Sequence, residues 1–159
     1  GNNYSLFTYN NGSGNYFGLL LNPMVDASVK DARIHLDIWA EVDMEQVGIY
    51  PIWKVSKEGG NGTEVVVRVA LEGQRWNAID LPLTQFVQDN AGNTVEPKPI
   101  WNYIHQLKID GIGTQTIALD NVYFWSENTT TLIDAQEVFP KVSKMIEDGQ
   151  VVIIREGVK

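Results

Sequence analysis

From residue 31 to 39 the chain reads Asp-Ala-Arg-Ile-His-Leu-Asp-Ile-Trp, so Ile34, Leu36 and Ile38 alternate with His35, Asp37 and Trp39. A period of two is the side-chain repeat of a strand, and one apolar row buries one face of a sheet. The opposite row sets an imidazole, a carboxylate and an indole in line. Such a strand packs a core on one side while offering groups that stack on and hydrogen-bond a ligand on the other. The same pattern fits a strand covered on both sides, with His35 and Asp37 satisfied internally. The residues alone leave both readings open.

The rest of the chain repeats this scale of patterning. Short apolar or alternating runs at 4–9, 16–21, 32–42, 47–55, 63–71, 76–81, 105–109 and 116–125 are separated by Gly, Asn, Asp and Pro. The punctuation is Asn-Asn-Gly-Ser-Gly-Asn at 10–15, Asn22-Pro23, the glycine-rich 57–62, and a polar stretch at 88–100 holding Pro97 and Pro99. Pro82 ends the 76–81 run and invites a helical turn at 83–87. Eight or nine short strands without an amphipathic helix between them predict an all-β fold, an antiparallel β-sandwich. No internal repeat is visible.

At 159 residues the chain has room for one core of ordinary size. A net charge of −8 without a cluster of Lys or Arg argues against nucleic acid and anionic membrane, which need a positive patch. No apolar stretch approaches the roughly 20 residues that span a bilayer. Cysteine is absent, which removes disulfides, thiolate metal sites and thiol nucleophiles. The opening Gly-Asn-Asn reads as the start of a processed piece. Beyond Ser126 the character changes: Asn-Thr-Thr-Thr at 128–131 is linker-like, 134–147 is weakly helical, and 150–155 is one more strand pattern. We expect a sandwich domain over 1–127, followed at 128–159 by a linker and the start of a truncated C-terminal segment. A strand at 150–155 needs a partner, from the sandwich or from a following module.

The aromatic inventory carries the most functional weight. Five Trp and six Tyr exceed what a core of this size requires. Sugars present C–H faces that pack on such rings, while their hydroxyls bond amides, carboxylates and guanidinium groups. Trp53 follows Pro51 at a strand end, and Trp101 and Tyr103 end the long 88–100 loop, where sandwiches carry function. The other reading of Trp101 is a lid packed over the sandwich end. Tyr16 and Tyr50 are further ring candidates. Arg68, Gln106, Lys108 and Asp37 supply polar partners from strands whose other face is apolar. Trp76 and the pair Asp120-Asn121 read as structural, the pair fixing a bulge or corner. Catalysis finds little support. Glu41 and Asp43 lie at i and i+2, but a strand end rich in acids ordinarily faces solvent, and no nucleophile elbow, phosphate loop or His-rich metal motif occurs.

Four stretches then carry a resemblance. His-Leu-Asp-Ile-Trp at 35–39, Trp-Asn-Ala-Ile-Asp-Leu-Pro-Leu-Thr-Gln-Phe at 76–86, Gln-Leu-Lys-Ile-Asp-Gly at 106–111 and Thr-Ile-Ala-Leu-Asp-Asn-Val-Tyr-Phe at 116–124 occur in that order. Together they resemble the galactose-binding-like jelly-roll modules attached to glycoside hydrolases and glycan-capture proteins of Bacteroidetes. The likeness covers about residues 4–125, and residues 146–159 are similar to C-terminal segments of exported proteins of that phylum. It implies a jelly-roll sandwich that binds polysaccharide or oligosaccharide without chemistry, on a secreted or cell-surface parent protein to which it is covalently linked. Similar modules often carry a structural calcium. No Asp-x-Asp-x-Asp loop supports one here, so no cofactor is expected, with Asp120 the residue to watch. The alternatives are a ligand-free spacer domain of a multidomain glycoside hydrolase and a protein-adhesion module. Compared with such modules the chain begins late, so an extra strand or two before residue 4 is expected to be missing.

Overall fold

The computed structural model describes residues 16–113 and 115–127, and the backbone of 5–8. The expected turn at 10–15 and everything expected from residue 128 onward lie outside these residues. Eight strands follow one another: β1 (Ser5–Thr8), β2 (Phe17–Val25), β3 (Arg33–Ala40), β4 (Met44–Trp53), β5 (Val67–Leu71), β6 (Arg75–Pro82), β7 (Ile104–Asp110) and β8 (Thr116–Trp125). A single 3-10 turn, Leu83–Gln85, lies between β6 and β7.

The strands form two four-stranded sheets in the orders β1-β8-β3-β6 and β2-β7-β4-β5. Every pairing is antiparallel. The fold is an all-β sandwich of jelly-roll type, two sheets sharing one core. Ile34, Leu36 and Ile38 of β3 are fully buried and meet Val47 and Ile49 of β4 and Leu107 and Ile109 of β7 in one cluster. The alternation at 34–39 thus places the apolar row between the sheets and sends Arg33, His35, Asp37 and Trp39 to the outer surface, each only partly exposed.

The structure departs from the sequence reading in three places, each with a physical cause. Asn22-Pro23 does not stop β2, which continues to Val25. β2 is a sheet edge, and its pairing with β7 skips between Leu20 and Val25, so the missing proline N–H costs no ladder bond. β5 begins at Val67 rather than 63 because the Val66 N–H is taken by the Gln88 carbonyl at 2.9 Å. The expected helical turn closes after one 3-10 step, with Leu83 and Phe86 both buried against the core.

The Asp120-Asn121 pair does set a bulge. The register of β3 against β8 shifts between His35 and Asp37, and Asn121 sits at φ 48°, a left-handed conformation that asparagine tolerates. Its amide nitrogen donates to Asp37 Oδ2 at 2.7 Å, tying the bulge to the neighbouring strand.

Candidate functional site

The outer face of the β2-β7-β4-β5 sheet brings chemistry-bearing residues together from β4, β5 and β7, with Gly18 and Leu20 of β2 beside them. Cross-strand register places Tyr50 of β4 beside Lys108 of β7, Ile52 beside Gln106, and Gly48 between Asp110 and Arg68 of β5. On the far side Gly18 faces Lys108 and Leu20 faces Gln106. These side chains point away from the core because their chain neighbours Ile49, Leu107 and Ile109 point into it.

Tyr50 is the centre of the cluster. It is 1% exposed although it lies on the outer face, because longer side chains cover it. Its hydroxyl donates to Asp110 Oδ2 at 2.5 Å, lies 3.1 Å from Asn90 Oδ1 and accepts from the Arg68 guanidinium at 3.4 Å. Burial, followed by the Asp110 hydrogen bond and the Asp110 charge, pushes this phenol well above the usual range. It stays a neutral donor at any working pH. Lys108 Nζ stands 4.4 Å from the Tyr50 ring centroid and 5.1 Å from that of Tyr16, and pairs with Glu64 at 2.6 Å. Arg68 also donates to the Gln46 carbonyl at 3.1 Å and to Asn90, and lies 3.5 Å from Asp110.

Gly48 makes this crowding possible. A Cβ there would run into the Asp110 carboxylate and approach the Tyr50 ring to 2.7 Å. The face therefore has a low floor, with Tyr16 (50% exposed) and Leu20 (73% exposed) standing open at the β2 side. On the β5 side the cluster borders a cleft of about 360 Å³ lined by Val66, Arg68, Gln88, Asp89 and Asn90. Asp89 shapes that cleft by accepting from the Ala91 and Asn93 amides, each at 2.9 Å. A hydrogen bond from the Asn93 side chain at 3.1 Å, followed by those backbone bonds, holds its carboxyl below the ordinary aspartate range.

Of the residues nominated by sequence, Tyr50, Arg68, Gln106 and Lys108 meet on this face. Asp37 lies on the outer face of the other sheet, bonded to Asn121 and 3.4 Å from His35. Of the three loop and strand-end rings, the structure buries Trp53 and leaves Trp101 and Tyr103 partly exposed. Trp53 is 4% exposed, donates its indole N–H to the Thr63 carbonyl at 3.1 Å and lies against Gly62, so no sugar reaches it. Trp101 is half-buried, packs on the core and meets Phe86 edge-to-face at 6.3 Å and 77°. That packing is what the lid reading expects of it, while the ring remains partly exposed. Tyr103 is half-buried beside it, with its carbonyl accepting from the Lys54 amide at 3.0 Å.

Sequence reasoning missed Asp110, Asn90 and Glu64 as members of the cluster. Asp110 was within reach, since it is the next outward position after Gln106 and Lys108. Asn90 comes from the polar loop, and nothing in the pattern aims it at Tyr50. The Glu41 and Asp43 pair is spent on structure: Glu41 accepts from the Thr116 amide at 2.9 Å and Asp43 from the Gly73 amide at 2.7 Å. Among the described residues no three His, Asp or Glu side chains gather as a metal site.

No family model matches the chain, and no curated protein matches it either. Solved structures do. A family 30 carbohydrate-binding module of a cellulosomal cellulase of Clostridium thermocellum superposes with a TM-score of 0.54 at 17% identity, covering 79% of this chain and 75% of that one. A family 11 carbohydrate-binding module from the same organism, in complex with a β-1,3-1,4-mixed-linked tetrasaccharide, gives 0.50 at 12% identity, covering 78% and 89%. A surface glycan-binding protein of Prevotella bryantii gives 0.53 at 12% identity, covering 77% of this chain and 47% of that one. The chain has the jelly-roll fold of these modules. At such identities the likeness is one of fold, and the residues of the face must carry the functional argument.

Proposed function

We propose that this chain is a non-catalytic carbohydrate-binding module that holds a parent glycan-degrading enzyme or capture protein to polysaccharide. The observation that carries the reading is the convergence of Arg68, Gln106, Lys108 and Asp110 around Tyr50 on one outer face, with an open ring, Tyr16, at its margin. A glycan lying across the strands would bring hydroxyls to the guanidinium, amide and carboxylate while a pyranose face rests on Tyr16. Preformed side chains lower the ordering cost of binding, because Arg68, Tyr50 and Asp110 already brace one another. Affinity through one such face is modest and gains from avidity in the parent protein. Carbohydrate-binding modules with this fold support the reading, and one of them is described with an oligosaccharide. A secreted or cell-surface location follows from the same role. Among the described residues no helix is long and apolar enough to cross a membrane.

A second reading, a spacer domain without ligand, has one observation in its favour: Lys108 and Arg68 already have carboxylate partners within the chain. Affinity electrophoresis against β-glucans, xylans, mannans and pectins separates the two. The binding reading expects retardation on at least one polysaccharide, weakened in Arg68→Ala and Gln106→Ala proteins that still fold cooperatively. A folded chain that migrates freely through all of them is a spacer.

A further inference from the structure

The outer face of the β1-β8-β3-β6 sheet carries a second set of rings that the reading above does not use. Register places His35 of β3 between Asp80 of β6 and Tyr123 of β8, and Arg33 beside Trp125. Asp80 is the hub. It accepts from Arg33, receives the Trp125 indole N–H at 3.1 Å and lies 3.3 Å from His35 Nδ1. The His35 ring stacks on Tyr123 at 4.7 Å and 21°, and the Arg33 guanidinium stands 5.6 Å over the Trp125 ring. These contacts fix the ring planes before any ligand arrives, yet Tyr123 stays 42% exposed.

Further along the same face Trp39 pairs across strands with Trp76, which is 41% exposed. Four steps along β3 separate the His35 and Trp39 positions, roughly 13 Å at the strand rise. Between the two ring platforms lie Asp37 and the small Ala78, with Asn121 bonded to Asp37. The surface therefore sets rings at either end with a carboxylate and an amide in the middle. A core does not need this arrangement, and single exposed rings scattered at random would not produce it.

We propose that this face is a second, independent contact surface for a neutral glycan chain, running along β3 with sugar rings on the Tyr123–Trp125 and Trp39–Trp76 platforms. Charge argues for a neutral ligand. Arg33 is paired with Asp80, and Asp37, bonded to Asn121 and 3.4 Å from His35, adds a further carboxylate beside its cross-strand neighbour Asp120, on a chain of net −8. A uronic-acid polymer is repelled there, while hydroxyl groups are natural donors to Asp37. The inference shares with the proposed function only the class of ligand, and its two platforms lie on the sheet opposite Tyr50 and Arg68. With two faces the module engages two chains, or two parts of one, and becomes a cross-linker.

The test uses the whole 159-residue chain, affinity electrophoresis in neutral β-glucan, xylan and mannan gels, and four forms: wild type, Tyr123→Ala, Arg68→Ala/Gln106→Ala, and the combination. Two-face binding expects each partial variant to lose about threefold to tenfold in affinity and the combination to lose all retention. Titration of an oligosaccharide should also shift the indole N–H resonances of Trp125 and Trp76 in the Arg68→Ala/Gln106→Ala protein, which reports on the face without relying on a stability-neutral variant. Loss of all binding in Arg68→Ala/Gln106→Ala, with Tyr123→Ala retained like wild type and the indole signals unmoved, overturns the second face and leaves the proposed function standing. Binding abolished by Tyr123→Ala alone overturns the Tyr50 face instead. No retention in wild type overturns both.

Discussion

The two outer faces of this sandwich solve the same problem in opposite ways. On the β2-β7-β4-β5 sheet the central ring, Tyr50, is sealed beneath Lys108, Arg68 and Asn90, and solvent meets charge and amide there, with Tyr16 and Leu20 open only at the β2 margin. On the β1-β8-β3-β6 sheet the charges, Arg33 and Asp80, are drawn into a hub at the margin, and two rings, Tyr123 and Trp76, stay 42% and 41% exposed. On the readings proposed above, the first face serves hydrogen bonding and the second stacking. A ring used as scaffold and a ring used as platform are the same residue type, so only packing tells them apart.

That contrast makes its largest prediction at the two tyrosines. Tyr50→Ala removes a fully covered ring and leaves Asp110 and Arg68 without their common partner. It should cost about 3–5 kcal/mol, a drop in melting temperature on the order of 10 °C or more. Tyr123→Ala removes a half-open ring stacked on His35 and should cost about 1 kcal/mol or less. Thermal melts of the two variants side by side check this. Equal losses would mean that Tyr123 is scaffold too.

Trp101 sharpens the comparison with an intermediate case. Packed on the core and edge-on to Phe86, it should cost about 2–3 kcal/mol when cut to alanine, while the folded fraction keeps its affinity for glycan. A variant that melts like wild type but no longer binds would return the functional surface to the end of the 88–100 loop.

How much of this was legible in the sequence depends on which row a residue occupies. In β3 the apolar and polar rows are cleanly interleaved, so the inward Ile34, Leu36 and Ile38 and the outward His35, Asp37 and Trp39 are readable one by one. The same holds for Gln106 and Lys108 in β7. In β4 the stretch Val-Gly-Ile-Tyr-Pro-Ile-Trp at 47–53 is apolar on both rows, and nothing in it separates the covered outer ring of Tyr50 from the inner Ile49. Trp53 and Trp101 looked available because both adjoin polar loops. Their burial depends on where those loops return: 57–62 brings Gly62 under the Trp53 ring, and the turn after β6 brings Phe86 to Trp101. Loop return is a tertiary fact that local pattern does not contain. Asn90 was invisible for the same reason.

The smallest expected effect concerns the loop that delivers Asn90 to the Tyr50 face. Asp89 anchors it by accepting from the Ala91 and Asn93 amides and from the Asn93 side chain, and these bonds hold its carboxyl below the usual range. A carboxylate with a depressed folded-state pKa binds fewer protons folded than unfolded. Its stabilisation is therefore complete above the unfolded value of about 3.9 and fades as pH falls through the lower folded value. Asp89→Asn keeps an acceptor oxygen but no charge, so it isolates the titrating part. Wild type should melt slightly higher than Asp89→Asn at pH 6, and the two should converge as pH is lowered towards 3. Tyr123 lies on the other sheet from β4, β5 and β7, which carry the residues this loop meets, so Tyr123→Ala should add the same decrement to either protein at every pH. A difference that grows on acidification would mean that Asp89 is held by protonation rather than by charge, and that the turn beside the cleft is built some other way.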